Sequence, residues 1–346
     1  MKHMCTSLYR NAKCELRNLG KLTGSFKVAT KSEELENPHS NPFLISTLRG
    51  FLPWKDPKID THKEFEVVDS LLRRMTWNQP GGVPGLLASN TFGQTVNREL
   101  TEIDVDNTDD TIEQIALFRD YCFLASAYLL EECHHVWLRT GNTYGLGRDH
   151  IPKSIAKPLV KLATKLNYFP YLEYNSGYTL NNWLRLNKQK EITVTNLDIY
   201  RTFMNMPSEK GFILVHIGVN QHGGRLIKSG IELLNSVEHR DREAFNDALK
   251  ELRNILIFMN QEFDRINYES KPEHYNIFRT FIMGIVNQPM FPNGVIYEGC
   301  FDNKPQFYRG ESGASDSILP FCDNILQITK FLPQNSNRDI LRDFRS

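Results

Sequence analysis

The chain has 346 residues, 40% of them apolar, 24% charged and 11% aromatic, which is an ordinary globular composition, long enough for one large core or two domains. Forty-one basic residues balance 41 acidic ones, so neither a nucleic-acid partner held through phosphates nor an acidic disordered tail is expected. The six cysteines (Cys5, Cys14, Cys122, Cys133, Cys300, Cys322) form no CxxC pair and no disulfide scaffold, which points to a reducing, cytoplasmic setting. The N-terminus lacks the apolar region of a signal peptide, and every long apolar run is broken by His216, Asp120 or Glu131, so a soluble chain with no membrane span is expected.

In chain order, residues 1–60 read as an irregular arm, pinned to the body by Phe51, Leu52 and Trp54. His62–Trp77 predicts a helix from the 3.6-residue spacing of Phe65, Val68, Leu71, Leu72 and Met75. A Gly/Pro loop over 79–85 follows, then a second helix over Leu86–Leu100. The acidic run 103–110 lacks the central glycine and final glutamate of an EF-hand and reads as a solvated loop. Thr111–Arg139 predicts a long helix, apolar on nearly all sides and therefore buried. His134 and His135 inside it point about 100° apart, so they cannot chelate one metal and read as capping or core residues.

Gly145–Ile151 reads as a loop, with no strand before it to make a dinucleotide fingerprint, and it marks a boundary between 1–150 and 151–346. Pro152 opens a helix to Leu166 that carries Pro158. Further helices are expected around Tyr178–Leu184, over Thr195–Met206, from Ser208 to Asn235, from His239 to Tyr268 and from Pro272 to Val286. Val295–Gly299 reads as a short extended leg. Phe307–Gln327 begins as a glycine loop and becomes an apolar helix, and Asn335–Ser346 begins a last one. Strand signals are sparse, so the fold class is all-α.

Three residues are out of place in a plain helical core. His216 interrupts six apolar neighbours and shares a helix face with Phe212, four residues earlier. Arg279 lies among Phe278, Phe281 and Ile282. Ser312 sits in the loop Arg309-Gly310-Glu311-Ser312-Gly313-Ala314, where glycines let backbone donors approach a ligand. Singly, each has a plain structural reading: a satisfied core histidine, a snorkelling arginine, a helix cap. Together they describe a neutral imidazole, a buried guanidinium able to clamp a carboxylate and a loop able to close over a flat ligand.

Several motifs, in order, resemble the indoleamine 2,3-dioxygenase family of the haem-dioxygenase superfamily: Tyr178-Thr179-Leu180-Asn181-Asn182-Trp183, Ser208-Glu209-Lys210-Gly211-Phe212 through His216, Asn276-Ile277-Phe278-Arg279, Gly299 with the 309–314 loop, and Asp339–Arg345. The resemblance covers residues 170–346 well and the first half loosely. It implies a helical haem and substrate domain over 151–346, capped by a smaller N-terminal domain over 1–150. It implies haem b, with O2 entering the indole C2–C3 bond of tryptophan to give N-formylkynurenine. Arg279 would take the substrate carboxylate, with Arg279 and His216 the catalytic pair. Phe212 and Tyr178 would line the indole, and Gly310, Ser312 and Gly313 with Phe212 would hold the cofactor edge. Ser312 would also serve substrate or propionate. His216 stands where animal members carry a smaller polar residue and would accept the indole N–H. The family's axial histidine follows a Leu-Arg-x-[Met/Phe]-Arg segment; the sequence stops at Arg345-Ser346, so no metal ligand is assigned and the histidine is expected beyond Ser346. A pyrrolnitrin-pathway haem enzyme, which rearranges a chlorotryptophan without dioxygenation, resembles the same scaffold, and a non-catalytic haem or indole binder is the third reading.

Overall fold

The computed structural model describes residues 45–328. The expected last helix over 335–346, most of the N-terminal arm, and Cys5 and Cys14 lie outside them. Ten α-helices occur among the described residues: α1 (Glu66–Met75), α2 (Phe92–Glu99), α3 (Thr111–Thr140), α4 (Lys153–Leu166), α5 (Pro207–Asn220), α6 (Gly223–Glu238), α7 (Arg242–Asp264), α8 (Ile266–Glu269), α9 (Pro272–Arg279) and α10 (Ile318–Ile325). The strands are short: β1 (His150–Ile151) pairs in parallel with β4 (Ile296–Tyr297), and β2 (Trp183–Arg185) pairs antiparallel with β3 (Leu197–Ile199). The all-α expectation holds, and among the described residues no helix is long and apolar enough to cross a membrane.

Helix α3 is the axle. Asp110 caps it by accepting from the Ile112 amide (3.0 Å), and Gly141 ends it at φ 69°, a conformation that suits glycine. Helices α1, α2 and α4 and the 280–282 turn pack around it, and its residues from Ile115 to Leu130 are all buried. Its polar residues are therefore satisfied internally. Glu131 accepts from the Phe92 and Gly93 amides (2.6 and 2.9 Å), so it caps α2 from across the core, and it pairs with Arg148 at 2.8 Å. Asp120 is held between Arg119 (2.9 Å) and Arg201 (2.6 Å), and Arg201 also reaches Asp69 at 2.8 Å. The two guanidiniums lie against the Tyr200 ring, 4.6 and 4.1 Å from its centroid.

His134 is a core histidine, as expected. Its Nδ1 lies 3.1 Å from Thr280 Oγ1, its ring stacks on Trp137 at 5.9 Å, and Nε2 has no partner. Burial, with a smaller contribution from His135, pushes its pKa from 6.5 down to about 4. The unfolded chain therefore takes up the proton first as pH falls. Stability should drop between pH 6.5 and 4, by on the order of 3 kcal/mol from this group. A His134→Leu chain is expected to show a flatter melting temperature across that window; an unchanged acid slope would refute the assignment.

Three expected helices differ. The segment around Tyr178 forms one π-helical turn, Tyr174–Tyr178, and then strand β2. Here tertiary bonding overrides propensity. The Asn182 side chain donates to the Tyr178 and Arg201 carbonyls (3.0 and 2.8 Å) and accepts from the Arg201 amide (2.7 Å), which opens the helix into a strand. Thr195–Met206 is a 3₁₀ turn followed by β3, because the Asn196 side chain bonds the Asn187 and Glu191 carbonyls (3.0 and 2.9 Å). Ser208–Asn235 is two helices, broken at Gln221-His222. There the 47–50 turn crosses so closely that a Cβ on Gly224 would lie 2.7 Å from the Thr47 and Leu48 carbonyl oxygens. Leu52 and Trp54 are buried and Phe51 packs edge-on to Phe321 (6.2 Å), so the arm is pinned as expected. Helices α2 and α9 are shorter than expected; α2 starts only after Asn90, at φ 53°.

Candidate active site

Pro207 starts α5, and the buried Glu209 fixes its first turn by accepting from the Phe203 and Met204 amides (2.8 Å each) and from Thr202 Oγ1. One turn on, Phe212 and His216 stand on the same face with ring centroids 4.6 Å apart. His216 Nδ1 lies 2.7 Å from the Phe212 carbonyl oxygen. A carbonyl can only accept, so Nδ1 carries the proton and Nε2 keeps its lone pair. Burial lowers the imidazole pKa, against opposing pulls from the Phe212 carbonyl and Asp316, so the ring is neutral. Gly313 faces that lone pair: a Cβ there would meet only His216 Nε2, at 3.4 Å. The Tyr174 ring meets the imidazole edge-on at 5.7 Å, and Phe263 of α7, itself 49% exposed, does so at 6.2 Å.

The loop that carries Gly313 is tied down at both ends. Gly310 crosses Gly284 backbone to backbone, and a Cβ on either would overlap the other. Beyond Gly313, Asp316 accepts from Tyr174 Oη (2.6 Å), Asn220 Nδ2 (2.8 Å) and the Ile318 amide (2.9 Å). Asn220 also donates to the His216 carbonyl (3.0 Å), so the loop, the π turn and α5 form one bonded unit.

Arg279 differs from the expectation of a buried clamp. Helix α9 ends at Arg279, so the side chain leaves the core and is exposed, with its guanidinium carbon 5.8 Å from the Tyr275 ring centroid. Among the described residues no carboxylate pairs with it. Tyr275 in turn packs 5.4 Å from Phe212. Tyr178 is fully buried behind Phe212, at 6.5 Å, and stacks on Phe123 and Phe203; its hydroxyl has no partner. Ser312 is half-buried in the loop. The structure thus brings together Phe212, His216 and Gly313, with Tyr275 and Arg279 alongside, and leaves Tyr178 one layer back.

Glu311, Tyr174, Asp316, Tyr275 and Phe263 do not stand out as site residues in the sequence. Tyr275 has a visible signal, four residues before Arg279 on one helix face. Glu311 has another, as the one carboxylate inside the glycine loop. A groove of about 820 Å³ along α7, lined by Leu249, Leu252, Leu256, Ile257 and Leu326, contains none of these residues.

Phe212, His216 and Gly313 together present an aromatic face with a polar edge, the chemistry a flat apolar group would need. The flanking rings are aromatic, the imidazole is neutral with a free lone pair, and Gly313 presents no side chain toward it. Among the described residues no cluster of three or more His, Cys, Asp or Glu side chains could hold a bare metal ion.

The body is mostly helical, with an aromatic cluster under a glycine loop. The sequence model of the indoleamine 2,3-dioxygenase family matches residues 39–345, and the chain belongs to that family. Among curated relatives, indoleamine 2,3-dioxygenase 1 of Rattus norvegicus is 29% identical over 212 residues, 61% of this chain and 51% of that protein. Indoleamine 2,3-dioxygenase of Saccharomyces cerevisiae is 23% identical over 303 residues, 84% of this chain and 62% of that protein. A protein of Haliotis diversicolor named myoglobin is 26% identical over 260 residues, 73% of this chain and 62% of that protein. The chain spans about half the length of the mammalian relatives it matches.

Proposed function

We propose that this protein is a haem-dependent dioxygenase that inserts O2 across the C2–C3 bond of an indole, with tryptophan the substrate and N-formylkynurenine the product. The observation that carries the reading is the free Nε2 lone pair of His216, held beside Phe212 under Gly313. Bound haem would supply the iron at which O2 is activated. The remaining work belongs to the chain. Phe212 offers a face for the indole ring. His216 Nε2 accepts the indole N–H, and its buried neutral state keeps it an acceptor at neutral pH. Arg279, with no carboxylate partner among the described residues, takes the substrate carboxylate. Gly310, Ser312 and Gly313 border the cofactor edge. The free thiols of Cys122, Cys133, Cys300 and Cys322 support a cytoplasmic location.

The test is an absorption spectrum of the haem-loaded protein, ferric and then reduced under CO, with and without L-tryptophan, followed by product analysis. A Soret band that moves on reduction and again with tryptophan, with an oxygenated product, is expected; no oxygenated product would turn the reading toward rearrangement chemistry. His216→Ala is expected to weaken tryptophan binding about tenfold, one hydrogen bond's worth. Unchanged affinity and turnover would sink the role given to His216. A second reading, haem and O2 binding without turnover, is favoured by the likeness to the Haliotis protein; a reversible O2 spectrum with no product would establish it.

A further inference from the structure

We propose that Glu311 is a specificity-determining residue that takes the α-ammonium group of the substrate, so that Arg279 and Glu311 together read a zwitterionic amino acid across the Phe212–Tyr275 wall. The inference rests on the tryptophan reading above and deepens it.

The Glu311 amide donates to the Ile282 carbonyl (3.1 Å), three residues past Arg279. The Gly310–Gly284 crossing next to it leaves the backbone no freedom to slide. Glu311 is half-buried overall, but its Oε1 is sealed from solvent and has no hydrogen-bond partner. Leaving such an acceptor bare costs about 1–3 kcal/mol, more for a charged one, so a missing donor is the natural complement. Among the described side chains that interact with it electrostatically, none is a cation. They are Glu173 ahead of the π turn, Tyr174 and Tyr178 within it, and Tyr275 of α9, each close enough to interact electrostatically. Tyr275 also senses Arg279, so the two charged ends flank one aromatic ring. On its own loop, Asp316 is taken up by Tyr174 and Asn220.

Burial first, and the Glu173 charge second, push the Glu311 pKa up to about 8. At pH 7 the empty site therefore holds mostly the carboxylic acid. Binding an ammonium favours the carboxylate, so the proton leaves Glu311 for solvent as the ion pair forms. Tryptophan binding should release protons near neutral pH, and affinity should rise as pH approaches 8.

The experiment is calorimetric titration of the haem-loaded full chain with L-tryptophan and with indole-3-propionate, which lacks the amine, in two buffers of different ionisation enthalpy. Glu311→Gln keeps the side-chain shape, and a thermal melt checks that it folds. Expected is about tenfold weaker tryptophan binding, one charge-assisted bond, with indole-3-propionate unchanged and the proton release abolished. Equal weakening for both ligands, as a contact to the cofactor or a structural role would give, overturns the assignment but leaves the tryptophan reading standing. So does no weakening for either. If the wild-type chain binds neither ligand, the tryptophan reading fails and the assignment with it. Should Glu311→Gln not fold, Glu311→Asp shortens the reach but keeps the charge. The same contrast between the two ligands then supports or overturns the assignment in the same way.

Discussion

An Asp120→Ala chain is expected to lose about 3–5 kcal/mol of folding stability, read as a lower urea midpoint at unchanged slope. Asp120 is 1% exposed and is the carboxylate shared by Arg119 and Arg201. Removing it leaves the Arg119 guanidinium in the core with no carboxylate and Arg201 with Asp69 alone, and Arg119 Nη2 already lacks a partner there. The cost comes from the uncompensated Arg119 charge and the under-compensated Arg201 more than from the lost attraction, because a buried pair only roughly repays its own desolvation. Burial would raise the Asp120 pKa, but the two arginines outweigh it and hold the carboxyl below its ordinary value. A depressed folded value means the stabilisation is complete above the unfolded pKa and is lost only as pH falls through the folded one. The network should therefore add nothing to pH dependence between 5 and 8. An Asp120→Ala midpoint equal to wild type would show that solvent reaches the arginines.

Arg279→Leu is expected to weaken binding of carboxylate-bearing indoles about 10–100-fold, roughly 1.4–2.7 kcal/mol, and to leave tryptamine, which has no carboxylate, unchanged. The lower end applies if water reaches the exposed guanidinium in the complex. Because the side chain is exposed and has no carboxylate partner among the described residues, the fold should lose no more than about 0.5 kcal/mol. Arg279→Lys should recover only part of the affinity, since an ammonium cannot grip both carboxylate oxygens in one plane. Equal losses for tryptophan and tryptamine would mean that Arg279 shapes the loop and does not read the ligand.

The long helices are legible in the sequence because their spacing is local. Helix α3 shows as an apolar run of helical length, and α7 as a charged amphipathic one. The helix expected at Tyr178 fails because what decides it is distant. Asn182 is tied to Arg201, nineteen residues away, and those bonds outrank local preference. The break at Gln221-His222 is set by the 47–50 turn, which no periodicity in α5 or α6 announces. At the site, the Phe212–His216 pair follows from a spacing of four, whereas the exposure of Arg279 depends on where α9 stops. Glu311 has no periodic pattern around it. Its character comes wholly from what surrounds it after folding.

Helix α3 also bears on how the chain must be made. It is largely apolar, and although α1 and α2 precede it in the chain, other groups that close over it come much later: Ser126 bonds the Phe281 carbonyl 155 residues on, and His134 bonds Thr280. The β1–β4 pair, which joins His150 to Ile296, is completed later still. At ribosomal speed that interval lasts roughly 8–30 s. For that time one side of a thirty-residue, largely apolar helix stands uncovered on the nascent chain, so yield in a cell-free system should depend on added chaperone far more than refolding of the finished polypeptide does.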